Sequence, residues 1–457
     1  MPPREWDAKV LRYTRMPSSR DETAGRDLPV PASQAATAVE SFNQGCGLIT
    51  MDEPELWRAL ETDLAEAGLP GPLFDSHASF FSEAPVFLSR HHVVRMGEII
   101  GAVESVACME RYREKIREWA PPIADFDPGP RGVFFGYDFH LEPDGPRLIE
   151  VNTNAGGALF NTYLAKAQQT CCPPVAELLV GIAEPAAIED AFVAMFREEW
   201  RLQRSGQQLT RIAIVDVAPR EQPMYPEFVL FRRLFERSGI EAVVADPSEL
   251  VLREGALWVA DAKVDLVYNR VCDFYLEAPE HEVLREAYAS GAAAVTPHPR
   301  AYALHADKRN LTLLSNAEEL RGLGVDDAVA ETLAAAIPAT LRVTPENAGD
   351  LWQRRRGLFF KPVMSYGSRG AYRGAKLTRR VWDSIVAGEY VAQELVRPSE
   401  RQVVMDDSTV ALKVDLRAYA YAGEIQFLAA RLYRGQTTNM RTPGGGFAPV
   451  FTESAGS

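Results

Sequence analysis

Residues 137–157, YDFHLEPDGPRLIEVNTNAGG, decide the fold of this chain. The run 133–141 is apolar and aromatic, EPDG at 142–145 has turn residues, and 147–151 is a second extended run. Two such runs separated by a short turn predict a β-hairpin.

Three oxygen-bearing side chains lie on this hairpin: Asp138 on the first strand, then Glu150 and Asn152 on the second. Residues two apart on a strand face the same side, and pairing in register brings Asp138 near Glu150. Two carboxylates and an amide suit Mg²⁺, which prefers oxygen ligands. The alternative is an ordinary edge hairpin with exposed acids. The glycines of NAGG at 154–157 favour the metal hypothesis, because they let backbone N–H groups approach a phosphate or a substrate.

Bulk composition excludes some functions. The 457 residues are enough for two or three domains, and 46% hydrophobic with 25% charged residues is typical of a globular protein. A net charge of −14 argues against nucleic acid as the main partner. It agrees with a protein that binds a cation to hold a polyanion, although many cytosolic proteins are acidic.

Cysteine usage and the absence of apolar runs predict a cytoplasmic protein without a membrane partner. The five cysteines form no CxxC pair, and their odd number predicts reduced thiols. Cys46, in a glycine-bearing loop, is either structural or a nucleophile, and no base partner is recognisable for it. The start MPPREWDAKV has no apolar signal core, and no run of about 18 apolar residues occurs.

Changes in pattern divide the chain into four parts. Residues 1–130 are predicted to be a helical N-terminal region on the substrate side, with helices at 53–67 and 94–119. Residues 131–206 hold the hairpin and further helices. Residues 207–306 alternate strands and helices, which predicts a small parallel sheet, and no GxGxxG follows its first strand. Arg270, at a strand end there, either meets a ligand or forms a structural salt bridge.

Residues 307–457 carry the strongest signals for phosphate binding. Lys361 ends the strand FFKP, and the loop SYGSRGAYRG follows with three glycines and two arginines. Flexible backbone donors beside cationic side chains predict a loop that covers phosphates, although GK[ST] of a P-loop is missing. The polar pair Gln393 and Glu394 ends another strand, where an adenine could bind. Arg417 and Arg431, on adjacent predicted strands, are predicted to meet phosphate or carboxylate.

Together these pieces resemble the circularly permuted branch of the ATP-grasp superfamily, which includes glutathionylspermidine synthetase. The similarity covers about residues 130–450. The family's D-x(11)-E-x-N metal pattern corresponds to Asp138, Glu150 and Asn152. Lys308 resembles its first nucleotide lysine, and Lys361 resembles the second. The remaining matches are the phosphate loop with Ser365, Gly367 and Gly370, and the adenine-binding pair Gln393 and Glu394.

The resemblance implies an α/β protein with the permuted ATP-grasp fold and a Rossmann-like domain preceding its nucleotide half. It implies ATP and Mg²⁺, and an ADP-forming carboxylate–amine ligase that forms an acyl phosphate. Arg270, Arg417 and Arg431 would then hold the acceptor carboxylate or the transferred phosphoryl group. The substrates would be a small carboxylate and an amine, such as an amino acid, peptide or polyamine, and a homodimer is left open.

One departure and two alternatives limit this reading. Glutathionylspermidine synthetase has an arginine two residues before its metal aspartate, where this chain has Gly136, so its substrates do not carry over. A phosphotransferase would use the same nucleotide site and release a phosphorylated product. A non-catalytic nucleotide-binding protein is the other alternative.

Overall fold

The computed structural model describes residues 41–44, 49–71, 80–170, 179–181, 185–405, 408–439 and 442–453. The loop cysteine Cys46 lies outside these ranges. Within them, no helix has the length and apolar character needed to cross a membrane. The structure is a mixed α/β fold, as predicted.

Among the helices of the described residues, Glu53–Glu66 confirms the one predicted at 53–67. Those of six or more residues are Glu53–Glu66, Arg90–Ala107, Glu110–Ile116, Ala158–Lys166, Pro185–Gln203, Tyr225–Arg237, Glu282–Ser290, Ala317–Gly322, Asp327–Ala336, Ala348–Arg354 and Arg379–Ala387. The prediction of one helix at 94–119 is wrong, because the structure has two helices there. Met109 has an extended backbone that divides it in two, and this redirection buries Tyr112 and Ile116 of the second helix. The N-terminal region also contains two short strands, Ile49–Met51 and Val86–Leu88.

A large sheet, called the central sheet here, carries the predicted hairpin at its edge. Its strands lie in the order Val86–Leu88, Gly446–Glu453, Glu424–Tyr433, Ser408–Tyr421, Phe135–Glu142 and Gly145–Asn152. Ser399–Met405 and Leu179–Gly181 pair beside this path. Tyr137, Phe139, Leu148 and Val151 of the hairpin are buried in one core with the apolar residues of helix Arg90–Ala107. The opposite face is therefore free to carry polar side chains.

The predicted parallel sheet is confirmed. Its strands are ordered Ala294–Thr296, Leu266–Asn269, Arg211–Val215 and Glu241–Ala245, and each neighbouring pair is parallel. Strand Leu266–Asn269 begins only after residues 262–264, which belong to a separate antiparallel sheet. That three-stranded sheet, Leu250–Arg253, Ala256–Val259 and Ala262–Val264, was not predicted. The proposed domain boundaries stay predictions.

A further sheet, called the small sheet here, carries the predicted FFKP strand. Its order is Thr340–Arg342, Tyr390–Glu394, Leu358–Pro362 and Tyr372–Arg373, and every pair is antiparallel. A side chain of this sheet reaches the hairpin of the central sheet, because Lys361 Nζ donates to the Ile149 carbonyl at 2.7 Å. The two sheets thus face each other across a cleft.

Candidate functional site

The hairpin register places the predicted metal ligands together. Asp138 lies directly opposite Glu150, and Gly136 lies opposite Asn152. Directly opposed residues of an antiparallel pair point to the same face, so Asp138, Glu150 and Asn152 share one. That face is the one turned away from the apolar core.

A β-bulge in the hairpin creates a contact that the sequence did not indicate. The register shifts after Asp138, so that Phe139 pairs with Leu148 and Ile149 is the extra residue. A bulged residue is left out of the ladder, which frees its carbonyl for another donor. Lys361 Nζ is that donor, and it also donates to Gln393 Oε1 at 2.9 Å. The bulge therefore fixes Lys361 beside Glu150.

The first predicted nucleotide lysine, Lys308, reaches the Glu150 carboxylate. Lys308 Nζ lies 3.2 Å from Glu150 Oε1 and donates to the Ser365 carbonyl at 3.1 Å. A π-helical turn, Tyr302–Ala306, precedes it, and such turns are frequent at functional sites. Burial alone would raise the pKa of Glu150, but the charges of Lys308 and Lys361 hold that pKa below its ordinary value. Glu150 is thus a carboxylate between two lysines.

Asp138 is held by two arginines. Arg417 lies directly opposite it on the neighbouring strand and donates from Nε and Nη2, each at 2.7 Å. Arg431 Nη2 lies 3.0 Å from Asp138 Oδ2, and Asn152 Nδ2 donates to the same oxygen at 3.1 Å. Burial would raise the pKa of Asp138, but the two arginines hold that pKa below its ordinary value. Both predicted arginines therefore bind the first predicted metal ligand.

The Gly136 departure has a physical reason in this arrangement. A Cβ at Gly136 would lie 2.7 Å from the Ala155 Cβ and 3.1 Å from Arg417 Nε. The Arg417 side chain thus occupies the space beside Gly136. In this chain an arginine beside Asp138 comes from a neighbouring strand.

Asp415 and His140 belong to this site, and the sequence analysis missed both. Asp415 is buried and accepts from the Tyr433 hydroxyl at 3.0 Å and from the Thr438 hydroxyl. His140 Nε2 lies 2.7 Å from Asp415 Oδ1, while His140 Nδ1 lies 3.1 Å from the Val396 carbonyl. A signal was present, because each lies two residues from a predicted site residue on the same strand.

The predicted residues line one cavity of about 770 Å³, with one exception. The cavity lining includes Ser365 and Gly367 of the glycine loop. A Cβ at Gly370 would instead meet Pro362 and the Tyr390 hydroxyl. Of the adenine pair, Gln393 is buried with its amide bonded to Lys361 and Thr340, while Glu394 is exposed. The adenine role stays a prediction.

Arg270 lines the same cavity beyond the end of a parallel strand. Its Nη1 donates to the Tyr268 hydroxyl at 3.3 Å, and its Nε has no partner among the described residues. Glu227 lies close enough for its charge to act on Arg270, and its carboxylate accepts from the backbone N–H groups of Gly157 and Leu159. The buried, incompletely bonded guanidinium agrees with the ligand-binding hypothesis for Arg270.

The donors fit Mg²⁺ in chemistry, although cationic side chains hold them in this structure. Asp138, Glu150 and Asn152 offer oxygen atoms from one face, as a hard cation requires. Among the described residues, no three His, Cys, Asp or Glu side chains form a metal-binding group. A metal here would therefore depend on two carboxylates, one amide and oxygens from a ligand.

Comparisons with known proteins give only distant likenesses. No protein-family model and no curated protein matches the chain. Among solved structures, it is similar to a glutathione synthetase-like effector from Globodera pallida in its apo form, with 11% identity, 86% of this chain and 97% of that chain covered, and a TM-score of 0.49. It is also similar to a protein described as a γ-glutamylcysteine synthetase from Methylobacillus flagellatus KT, with 10% identity, coverage of 78% and 86%, and a TM-score of 0.43.

A third similar structure is the ATP-grasp ligase PsnB with its minimal precursor, Mg and ADP, at 18% identity, coverage of 54% and 89%, and a TM-score of 0.29. The circular permutation stays a prediction. The chain's own geometry remains the basis for inferring what it does.

Proposed function

We propose that this chain is an ATP-dependent, ADP-forming carboxylate–amine ligase. One observation carries the proposal: Lys308, Lys361 and Glu150, which are far apart in sequence, line a single cavity, where Lys308 Nζ lies 3.2 Å from Glu150 Oε1 and Lys361 Nζ donates to the carbonyl of the adjacent residue Ile149 at 2.7 Å. The cavity volume of about 770 Å³ is that of a small-molecule site. Two buried lysines beside carboxylates suit the phosphates of a nucleotide that arrives with a divalent cation.

The reaction follows from the chemistry of these groups. The substrate carboxylate attacks the γ-phosphate of ATP, which gives an acyl phosphate and ADP, and an amine then displaces phosphate to form an amide. Lys308 and Lys361 neutralise phosphate oxygens, and Asp138, Glu150 and Asn152 would hold Mg²⁺. When bound, Mg²⁺ would stabilise the negative charge that develops on the phosphates. No nucleophilic side chain is needed, because positioning and charge stabilisation supply the catalysis.

The remaining predicted residues have roles in holding the reactants. Arg417 and Arg431 lie beside Asp138 and can reach phosphoryl oxygens, whereas Arg270 can bind the acceptor carboxylate. The glycine loop excludes water from the acyl phosphate, because water would hydrolyse it. Tyr366 of this loop already meets Phe274 edge-on, with 6.4 Å between ring centroids. The loop thus touches the segment that follows Arg270.

Two substitutions test the proposal directly. Glu150→Gln removes the charge that the two lysines share, and Lys361→Ala removes a phosphate-neutralising group. Each should lower ADP release by about 100-fold or more, as losses of preorganised charged groups do. ADP release would be measured with amino acids, small peptides and polyamines as candidate substrates.

Matched controls lie nearby in the sequence. Glu142→Gln alters the far end of the hairpin, and Lys376→Ala alters an exposed lysine after the glycine loop. Both variants should keep wild-type ADP release. Full activity of Glu150→Gln or Lys361→Ala would refute the assignment.

Product analysis separates the proposal from the phosphotransferase alternative. A ligase yields an amide together with ADP and phosphate, whereas a phosphotransferase yields ADP and a stable phosphoester. The mass of the product from the accepted substrates distinguishes them.

A further inference from the structure

Four charged residues lie on three adjacent strands of the central sheet, and they are called the arginine–aspartate cluster here: Asp138, Asp415, Arg417 and Arg431. Arg417 lies directly opposite Asp138, and Arg431 lies directly opposite Asp415. Directly opposed side chains are the nearest partners across a sheet, so each arginine has one aspartate of its own.

The bonding in the structure does not follow this pairing. Arg417 bonds its opposite residue, but Arg431 Nη2 lies 3.0 Å from Asp138 Oδ2 and 3.6 Å from Asp415 Oδ2. Arg431 thus reaches diagonally to an aspartate that is already bonded by Arg417. Its Nε has no partner among the described residues, and its side chain is only 12% exposed. A buried guanidinium with an unsatisfied N–H is more stable in a position where that N–H finds an acceptor.

The Asp415 carboxylate is positioned to bind that guanidinium. His140, Tyr433 and the Thr438 hydroxyl hold its carboxylate in place from other sides. Burial would raise the pKa of Asp415, but His140 and Arg431 hold it well below its ordinary value, so the group stays charged. It therefore offers a fixed, ionised partner beside Arg431.

We propose that Arg431 moves from Asp138 to Asp415 when Asp138 takes a divalent cation, and that Asp415 is the positioning residue that makes this exchange favourable. The proposal rests on the proposed function, because it assumes that Asp138 is a metal ligand. Without the nucleotide, both oxygens of Asp138 are bonded by arginine, so a free cation competes with two guanidinium groups. With the nucleotide bound, the phosphates attract Arg417 and the Asp415 carboxylate binds Arg431. Asp138 is then free of both arginines and can bind the cation.

The cation chemistry can be followed with Mn²⁺, whose free form is counted by electron paramagnetic resonance. Wild-type protein should bind Mn²⁺ weakly alone and at least about tenfold more tightly with ADP, a coupling within the usual range. Arg431→Met removes one competitor for Asp138 and should tighten binding of Mn²⁺ without nucleotide by about tenfold. Equal wild-type affinity with and without ADP, or no change in Arg431→Met, would overturn the proposal.

A double-mutant cycle tests Asp415 itself. Asp415→Asn keeps the side-chain shape but loses the charge that receives Arg431, so Mn²⁺ binding with ADP should weaken by about tenfold. In the Arg431→Met background no arginine needs to move. There, Asp415→Asn should weaken Mn²⁺ binding with ADP less, and the change in the logarithm of the dissociation constant should be below about half of the change in the wild-type background. An equal or larger loss there would mean that Asp415 attracts the cation by its own charge, which contradicts the exchange.

The outcomes also separate this inference from the proposed function. Wild-type protein that binds no Mn²⁺ even with ADP would refute the magnesium–nucleotide site and the inference together. Nucleotide-dependent Mn²⁺ binding with equal Asp415→Asn losses in both backgrounds would refute the inference alone. If Asp415→Asn does not fold, the Arg431→Met measurement still decides whether Arg431 competes for Asp138.

Discussion

At the scale of single residues, Glu199 shows how one buried carboxylate connects several elements. It is completely buried in helix Pro185–Gln203 and accepts from the backbone N–H groups of Arg131 and Gly132, each at 2.9 Å. The hydroxyls of Tyr421 and Thr296 also donate to it. These donors come from the segment before the hairpin, from the central sheet and from the parallel sheet. Glu199 therefore fixes where the hairpin begins.

Replacing Glu199 by Gln should destabilise the protein by about 2 kcal/mol, because an amide N–H would face a backbone N–H and leave it unsatisfied. Urea unfolding monitored by tryptophan fluorescence would measure the change. Glu198→Gln is the matched control, since Glu198 pairs only with the exposed Arg201 among the described residues, and its cost should stay within about 0.5 kcal/mol. If both variants lose the same free energy of unfolding, the hydrogen bonds of Glu199 do not stabilise the junction of these elements.

At the scale of elements, two neighbouring parallel strands end in aspartates with opposite pKa shifts. Burial raises the pKa of Asp216, after strand Arg211–Val215, from 3.8 to about 6. Asp246 follows strand Glu241–Ala245, and its pKa is lowered: burial alone would raise it, but hydrogen bonds from Ser248 and the Ala218 backbone prevail. Similar strand ends thus give opposite contributions to stability.

The raised pKa of Asp216 decides how this residue makes the stability of the protein depend on pH. Its folded-state pKa is above its unfolded value, so stability falls as pH rises from about 4 to about 6 and stays lower above that range. Asp216→Asn should therefore stabilise the protein at pH 8 by about 1 to 2 kcal/mol, allowing for partial solvent screening. The gain should disappear below about pH 4, where Asp216 is protonated in both states.

Asp246→Asn provides the control of opposite sign. Because the folded-state pKa of Asp246 is lowered, its stabilising effect is present above the unfolded pKa and is lost as pH falls. This variant should be less stable than wild type at pH 8. Chemical unfolding of both variants at pH 8 and pH 4 would check the pair, and a loss of stability in Asp216→Asn at pH 8 would contradict the assignment.

At the scale of the whole molecule, the candidate site depends on segments that meet only in the folded chain. Glu150 comes from the central sheet, Lys361 from the small sheet, and Lys308 from the segment between the parallel and small sheets. A ligand that contacts all three binds the folded state and not the unfolded chain. Ligand binding should therefore stabilise the whole assembly of sheets.

Saturating ADP with Mg²⁺ should raise the free energy of unfolding by about 2.7 kcal/mol at 100 times the dissociation constant. Differential scanning fluorimetry should show this as a rise in Tm of a few degrees. Lys308→Met should abolish the rise, whereas Lys263→Met, at an exposed position of the three-stranded antiparallel sheet, should keep it. A rise that persists in Lys308→Met would place the nucleotide elsewhere.

The sequence by itself determined the local parts of this protein. Two extended runs separated by turn residues predicted the hairpin, and a period of two placed Glu150 and Asn152 on one face. Regular alternation of strands and helices predicted the parallel sheet. These features depend on residues within a few positions of one another, where backbone geometry alone decides which way a side chain points.

Only the tertiary structure decided which groups of the site contact one another. The bulge at Ile149 that receives Lys361, the two arginines on Asp138, and the placement of Asp415 beside Arg431 join residues up to 293 positions apart, the separation of Asp138 and Arg431. Strand order and register set these contacts, and many registers satisfy the same hydrophobic pattern when only local sequence is considered. The physical reason is that packing across sheets, rather than local conformation, selects the partners of a buried charge.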